Sequence, residues 1–367
     1  MRLNKLKVLH IAETIKGGVA TILDQLLEDS RIESLAIVPE QHVDQLENKL
    51  KCIVFNRSGR NLISFFYLLI TFIKQLRSFN PDIIHIHSSF AGVICRLYLI
   101  LTFNKKIKIV YCPHAFSFLM NVSNMKKKIY AYLELFLSKY TDFIICTSYF
   151  ERNQGIFYGI DDGILKVVYN GIKPPIDYEL IQKPDFPENK INILFVGRFD
   201  YQKAFDFVVN ISEKLPENIL LTIIGDYVNN SEKYIIPSSV NHIKWVDKKI
   251  LSGYYYCADI VFMPSRWESF GLVAVEANSY GTPVLASNKS SLPEIIIDKE
   301  NGFLFNNFDV NEVLKIIKNL NKEDLSKMAP LCVESYKKNF SGTGMLNNLY
   351  SLYTQLYNPI HINPPTP

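Results

Sequence analysis

Residues Phe262–Ala277 read FMPSRWESFGLVAVEA. An apolar, β-type run ends at Pro264 and a polar loop turns through Glu268. A helix is then expected to start around Ser269–Gly271, with Ser269 as its N-cap. That is the strand–loop–helix step of a parallel α/β fold. Backbone N–H groups at a helix start, with Gly271 allowing close approach, make a natural phosphate site. Glu268 stands in the loop and Glu276 about two turns up the helix, at 3.6 residues per turn. Val273, Ala274, Val275 and Ala277 surround Glu276, so it reads as buried rather than solvated. A carboxylate in that company must be paired or hydrogen-bonded, and ribose hydroxyls would serve.

Upstream, the same step recurs at Phe195–Lys203, FVGRFDYQK. A strand, Ile191–Val196, runs into Gly197, which places Arg198 and Lys203 near its carboxyl end, where ligands bind in open α/β sheets. Arg offers a bidentate fork to phosphate and Lys a point charge. Asp200 is an equally good salt-bridge partner for either. Further strands are expected at Leu220–Ile224, Ile243–Val246, Ile260–Met263 and Pro283–Ala286, with helices at Leu251–Cys257 and Leu272–Tyr280. Gly281 and Pro283 supply the stop signals for the second of these helices.

The N-terminal half follows the same logic, with strands expected at Lys7–Ala12, Leu35–Pro39, Cys52–Phe55, Asp82–His87, Ile107–Cys112 and Phe143–Thr147. Helices are expected at Val19–Leu27 and Leu62–Phe79, the second ended by Pro81. Between the halves, Lys173–Lys190 carries Pro174, Pro175, Pro184 and Pro187, which marks a linker. A last helix, Met345–Tyr357, follows the break Ser341-Gly342-Thr343-Gly344, and the tail His361–Pro367 is expected to fray.

The bulk numbers fit two globular domains: 367 residues, 48% hydrophobic and 21% charged. A net charge of +4 is too small to demand nucleic acid, and suits a phosphorylated substrate or an anionic membrane surface. The six cysteines form no CxxC pair and read as buried hydrophobes in a reducing compartment. The N-terminus is not a signal peptide, and Leu62–Ile73 is shorter than the ~20 residues of a membrane span, so the chain is expected to be cytoplasmic.

Four N-terminal features remain. Gly17-Gly18 after the first strand is too short for a GxGxxG fingerprint, which disfavours a nicotinamide dehydrogenase, but suits a phosphate or sugar approaching the backbone. His85 and His87 share a strand face without a convincing third metal ligand, so His85 reads as a core or hydrogen-bonding residue. His114, in YCPHAFSF, lies in a loop and is the better candidate for touching substrate. Asn124–Tyr140, NMKKKIYAYLELFLSKY, is either an amphipathic helix with a solvated basic end or a membrane-facing helix.

Taken in order, these segments resemble the retaining family-4 glycosyltransferases, which have the GT-B fold. The resemblance covers nearly the whole chain: GGVA, DIIHIH, PHAF, TSYF, VYNGI, GRFDYQK, the long stretch ending ESFGLVAVEA, then GTPVLAS, SLPEII and NGFLF. It implies an α/β protein with two Rossmann-like domains whose parallel sheets face a central cleft. Residues 1–175 would form an acceptor-binding domain, 176–190 the linker, and 191–342 a nucleotide-sugar-binding domain. Residues 343–367 would be a helix and tail packing back on the first domain. It further implies that Arg198 and Lys203 hold the donor diphosphate and that Glu276 binds the ribose. Glu268 and the N–H groups of Phe270, Gly271 and Leu272 would surround the donor sugar and diphosphate, with Gly17 and Gly18 approaching from the first domain and His114 over the transferred sugar. His114, Glu268, Arg198 and Lys203 are thus the expected catalytic set. Two departures stand out: Ala204 follows Lys203 where glycine is common, and Ala115 follows His114 where an acid is common.

The activity implied is transfer of a hexose or N-acetylhexosamine from a nucleotide sugar, UDP-linked by family resemblance, with retention and without a metal or other cofactor. The acceptor implied is a glycan, lipid-linked in bacterial surface-polysaccharide assembly, reached by peripheral contact with the inner membrane. No nucleic-acid partner is expected. The competing readings are a nucleotide-sugar epimerase of the same shape and a non-catalytic sugar-nucleotide-binding protein. The presence of both acids and both cations weighs against the latter.

Overall fold

The computed structural model describes residues 5–102, 106–227 and 234–357. The expected fraying of the tail His361–Pro367 lies outside them. The chain divides into two compact units. One runs up to Gly171 and is rejoined by the segment that begins at Gly342; the other is Ile172–Ser341 and includes the proline-rich stretch Lys173–Lys190.

The first unit is built on a seven-stranded sheet. Its strands are β1 (Lys7–Ala12), β2 (Glu33–Pro39), β3 (Cys52–Phe55), β4 (Ile83–His87), β5 (Lys108–Cys112), β6 (Phe143–Cys146) and β7 (Leu165–Val167), in the order β3-β2-β1-β4-β5-β6-β7. The second unit has six strands: β8 (Ile191–Val196), β9 (Ile219–Ile224), β10 (Asn241–Ile243), β11 (Ile260–Met263), β12 (Val284–Ser287) and β13 (Gly302–Phe305). Their order is β10-β9-β8-β11-β12-β13. Neighbouring strands pair in parallel throughout both sheets, as at Val8↔Ile83 and Ile193↔Ile260. Helices cover both faces, and this explains the strand composition. Every residue of IIHIH in β4 and of INILFV in β8 is buried, which is why these strands are mostly apolar and carry no solvated, charged face.

Each sheet thus has the doubly wound order, in which the strand sequence reverses beside its first strand. The switch points fall between β1 and β4 in one unit and between β8 and β11 in the other.

Several helix starts carry a side-chain cap: Asn61 accepts from the Ser64 N–H, Asp247 from Ile250 and Asn321 from Asp324. Helix Leu62–Ser78 buries Leu68 and Phe72 but exposes Leu62, Ile63 and Phe66. Three expectations shift. The strand expected at Ile243–Val246 is instead Asn241–Ile243, a half-exposed edge strand whose burial pattern is too weak to mark its register. The final helix starts at Gly342, not Met345, because tertiary burial of Gly342 and Met345 overrides the poor helix propensity of the Ser-Gly-Thr-Gly stretch. The helix after β11 is Leu272–Ser279, capped by Gly271 with φ 118° and no side-chain cap, so Ser269 is not its N-cap. Buried Phe270 anchors the loop and pushes the helix start past Ser269.

Candidate functional site

The switch point of the second sheet gathers the charged residues singled out in the sequence. Arg198 and Lys203 follow β8, and Glu268 follows β11 on the opposite side of the crevice. Lys203 Nζ meets Glu268 Oε1 at 2.5 Å, with both side chains largely buried. Arg198 is far more exposed; its Nη2 lies 3.1 Å from Asp200 Oδ2 and donates to Gln202 Oε1 at 2.8 Å. Asp200 also accepts the Lys203 backbone N–H at 2.9 Å, so one carboxylate meets the Arg198 guanidinium and fixes the backbone that carries Lys203. Gln202, unnoticed in the sequence, ties the two loops together. Its amide donates to the Trp267 carbonyl at 3.2 Å, and its own carbonyl accepts the Arg266 N–H at 2.8 Å.

The Glu268 loop is held from below. The Glu268 N–H donates to Ser290 Oγ at 2.8 Å, and Ser291 Oγ donates to the Phe270 carbonyl at 2.6 Å. Gly271 then turns the chain into the helix. The positive φ favours glycine there; a Cβ would stand 2.9 Å from the terminal methyl Cδ2 of Leu292, which would have to give way. Leu272 opens the helix, whose first N–H groups have no partner within it. Glu276, further along, accepts from the Tyr255 hydroxyl at 2.8 Å. Burial pushes its carboxyl above the usual range, opposed by that hydrogen bond and by Lys248 and Lys203.

The residue after Lys203 explains one departure from the family pattern. Ala204 is fully buried with φ 53° and ψ 42°, the left-handed conformation that glycine adopts without penalty.

In the first unit, Gly17 caps helix Gly18–Glu28 with φ 71° and no side-chain partner, and both glycines are exposed at the end of β1. Across the switch point, His87 ends β4. Register places His10 of β1 beside His85, and His87 two residues on lies on the same face. His10 therefore joins the pair as a third histidine that the sequence reading missed; its signal was a polar residue inside an otherwise apolar strand. One nitrogen from each of the three lies within 4.8 Å of the others, a spacing a metal ion could use. Two of the three are already engaged with each other, His10 Nδ1 to His87 Nε2 at 3.2 Å, and His85 Nδ1 meets the Tyr353 hydroxyl at 2.5 Å. Among the described residues, the group that could hold an ion here is these three histidines, with no carboxylate in it to offset a cation's charge.

His114 continues this cluster: its Nε2 lies 3.0 Å from His87 Nδ1. Burial lowers the pKa of His10 to about 3 and of His114 to about 4, and holds His85 and His87 well below the usual range. The backbone here is strained, with φ 52° at His114 and 125° at Ala115. Beneath it sits Glu151, fully buried, whose Oε2 accepts the Thr147 N–H at 2.7 Å and the Thr147 hydroxyl at 3.0 Å. Burial raises the Glu151 pKa to about 7, while Thr147 and the N–H groups of Ala115 and Phe116 pull it down.

Comparison with known proteins identifies the family. Residues 20–174 match the family model for Glycosyltransferase Family 4, and residues 177–337 match that for Glycosyl transferases group 1. An uncharacterized 41.2 kDa protein in the cps region of Klebsiella pneumoniae is 41% identical over 356 residues, covering 95% of this chain and 99% of its own. The chain belongs to the family-4 glycosyltransferases. The UDP-Gal:alpha-D-GlcNAc-diphosphoundecaprenol alpha-1,3-galactosyltransferase of Escherichia coli is 24% identical to this glycosyltransferase, over 96% of the chain and 98% of the relative. Sucrose-phosphate synthase from Thermosynechococcus elongatus superposes with a TM-score of 0.81 at 18% identity, covering 97% of this chain and all of that one. Anabaena HepE in complex with UDP-glucose superposes at 0.80 and 16% identity, covering 95% and 100%. At that identity the likeness speaks for the fold, which is GT-B. Among the described residues, no helix of the glycosyltransferase is long and apolar enough to cross a membrane.

Proposed function

We propose that this glycosyltransferase moves a hexose or N-acetylhexosamine from a UDP-sugar to a glycan acceptor, with retention of anomeric configuration and without a metal. The Lys203–Glu268 pair at the switch point of the second sheet carries the reading. A cation held by a carboxylate at that position can turn to an arriving diphosphate, while Arg198 offers a half-exposed guanidinium beside it. Glu276, with one oxygen on Tyr255, has the chemistry to accept a ribose hydroxyl on the other. The N–H groups of Phe270, Gly271 and Leu272 complete the anion site in this reading. Charge developing on the leaving diphosphate is met by Arg198, Lys203 and the helix dipole. The diphosphate oxygen takes the acceptor proton, and His114 contacts the transferred sugar.

The relatives support the donor and pathway: one structural neighbour binds UDP-glucose, one relative uses UDP-Gal and a diphosphoundecaprenol-linked sugar, and one lies in a cps region. An acceptor of the lipid-linked kind in surface-polysaccharide synthesis follows by analogy. Helix Asn124–Ser138 suits contact with the cytoplasmic face of the membrane, since Lys126, Lys127 and Lys128 stand beside exposed Met125, Ile129 and Tyr132.

Calorimetric titration with a panel of nucleotide sugars tests the reading, with Arg198→Ala and Glu276→Ala in parallel. Saturable binding of one UDP-sugar, weakened in both variants, and a product of unchanged anomeric configuration are expected. Binding that survives both substitutions would refute the site. Epimerised donor released without any acceptor would refute transfer.

A further inference from the structure

We infer that His10 and His87 form with His114 a chain of neutral imidazoles that holds the His114 proton on Nδ1, so that His114 meets its ligand as a hydrogen-bond donor. The inference rests on reading His114 as a sugar-contacting residue.

The geometry is a series of two nitrogen–nitrogen contacts, His10 Nδ1 to His87 Nε2 at 3.2 Å and His87 Nδ1 to His114 Nε2 at 3.0 Å. A neutral imidazole carries one donor and one acceptor. The two contacts therefore cannot be set independently. If both termini donated to His87, it would carry no proton; if His87 donated to both, it would be a buried cation with no carboxylate beside it. Either both protons point toward His114 or both point toward His10.

The far end decides between them. His10 Nε2 is buried and has no hydrogen-bond partner among the described residues. With the protons pointing toward His10, that nitrogen would bear an orphaned N–H. With the protons pointing toward His114, it is a bare acceptor, the less costly of the two defects, since orphaned N–H groups are the rarer in folded proteins. The second arrangement makes His114 Nε2 an acceptor for His87 and leaves the single His114 proton on Nδ1. A nitrogen in that state donates to a hydroxyl or a developing oxyanion and takes no proton there. His87 and His10 are then positioning residues, doing from β4 and β1 the orienting that Ala115, without a polar side chain, cannot do. The strained backbone at His114 and Ala115 fixes the ring at the end of the chain.

Long-range proton–nitrogen correlation NMR on the wild-type protein, labelled with 15N-histidine, reads the tautomer directly. His114→Gln identifies the resonance by its disappearance among the seven histidines. The expected spectrum at pH 7 shows His114 with Nδ1 protonated and Nε2 bare. In His87→Phe that preference is lost and kcat falls about 10- to 100-fold, the range for removing a residue that orients a functional histidine, with donor KM little changed. His87→Gln, whose amide can still donate to Nε2, restores both. A wild-type His114 protonated on Nε2 or on both nitrogens overturns the inference, as does an unchanged tautomer in a folded His87→Phe protein. Stoichiometric metal in the purified protein, bound to these nitrogens, also overturns it. If the wild-type protein binds no nucleotide sugar and transfers none, the glycosyltransfer reading fails instead, and the spectrum still decides the tautomer.

Discussion

Glu151→Gln isolates the electrostatic consequence of burying a carboxyl beneath the His114 loop. The Glu151 pKa stands at about 7 in the folded protein, against an ordinary value of 4.5. Between those values the folded state binds the proton more tightly than the unfolded chain, so stability falls as pH rises from about 4.5 through about 7. A difference of about 2.5 units at 1.36 kcal/mol each places the loss at about 3 kcal/mol. Glutamine keeps the shape and one acceptor for the Thr147 N–H but cannot titrate. Its extra N–H pair adds a penalty that is constant with pH. Urea unfolding of both proteins at pH 5, 6, 7 and 8 therefore separates the two effects. The stability of the variant minus that of the wild type should climb by about 2.5 kcal/mol across the series, whatever its sign at pH 5. Every other titrating group whose surroundings the substitution leaves alone, including the neighbouring histidines, cancels in that difference. A difference that stays flat within about 0.5 kcal/mol would show that Glu151 keeps an ordinary carboxylate pKa in the folded protein and is charged throughout the series.

Glu276→Ala should weaken donor binding about 10- to 100-fold, the loss of roughly 1.5–3 kcal/mol for a hydrogen bond to a charged group, while Glu276→Gln loses less; equal affinity in titration calorimetry would exclude a contact with donor. Lys203→Met leaves Glu268 buried without its partner and should lower stability by up to about 3 kcal/mol, whereas Lys203→Met with Glu268→Leu recovers most of that without recovering donor binding; thermal unfolding and titration on the same samples check both halves. Gly271→Ala meets a positive φ and a 2.9 Å approach to Leu292, and should destabilise by about 2 kcal/mol in calorimetric melting, with an unchanged Tm counting against the required backbone conformation.

Much of this was legible because parallel sheets covered on both faces force their strands into largely apolar runs. KVLHIA, DIIHIH and INILFV are dominated by Ile, Val and Leu, with His10, His85, His87 and Asn192 as the buried polar exceptions. Arg198, Lys203, Glu268 and Glu276 were found because they follow such runs directly. What escaped depends on contacts between segments distant in sequence. His10 looks like an isolated polar residue until register sets it beside His85, and Tyr255 becomes the partner of Glu276 only through packing across 21 positions. Ser269 has the right chemistry for a cap, but buried Phe270 and the left-handed turn at Gly271 moved the helix start beyond its reach. β13 and helix Lys322–Asn339 follow loops whose composition gave no periodic cue.

Helix Gly342–Tyr357 returns to the first unit, where Met345, Leu349 and Tyr353 are buried and Tyr353 meets His85. The second unit is therefore an insertion within the first, and this dictates an order of maturation on the ribosome. Ile172–Ser341 has all its strands outside the exit tunnel while the first unit still lacks the helix that completes it. The half synthesised first must then be the half that finishes last, with the end of β4 waiting on a tyrosine made more than 260 residues later. The insertion enters at Ile172 and leaves at Ser341, which pair as a β-bridge, so its two ends meet at one point. Excising it and joining Gly171 to Gly342 through a short linker should yield a free-standing first unit, whereas simple truncation at Gly171 should not.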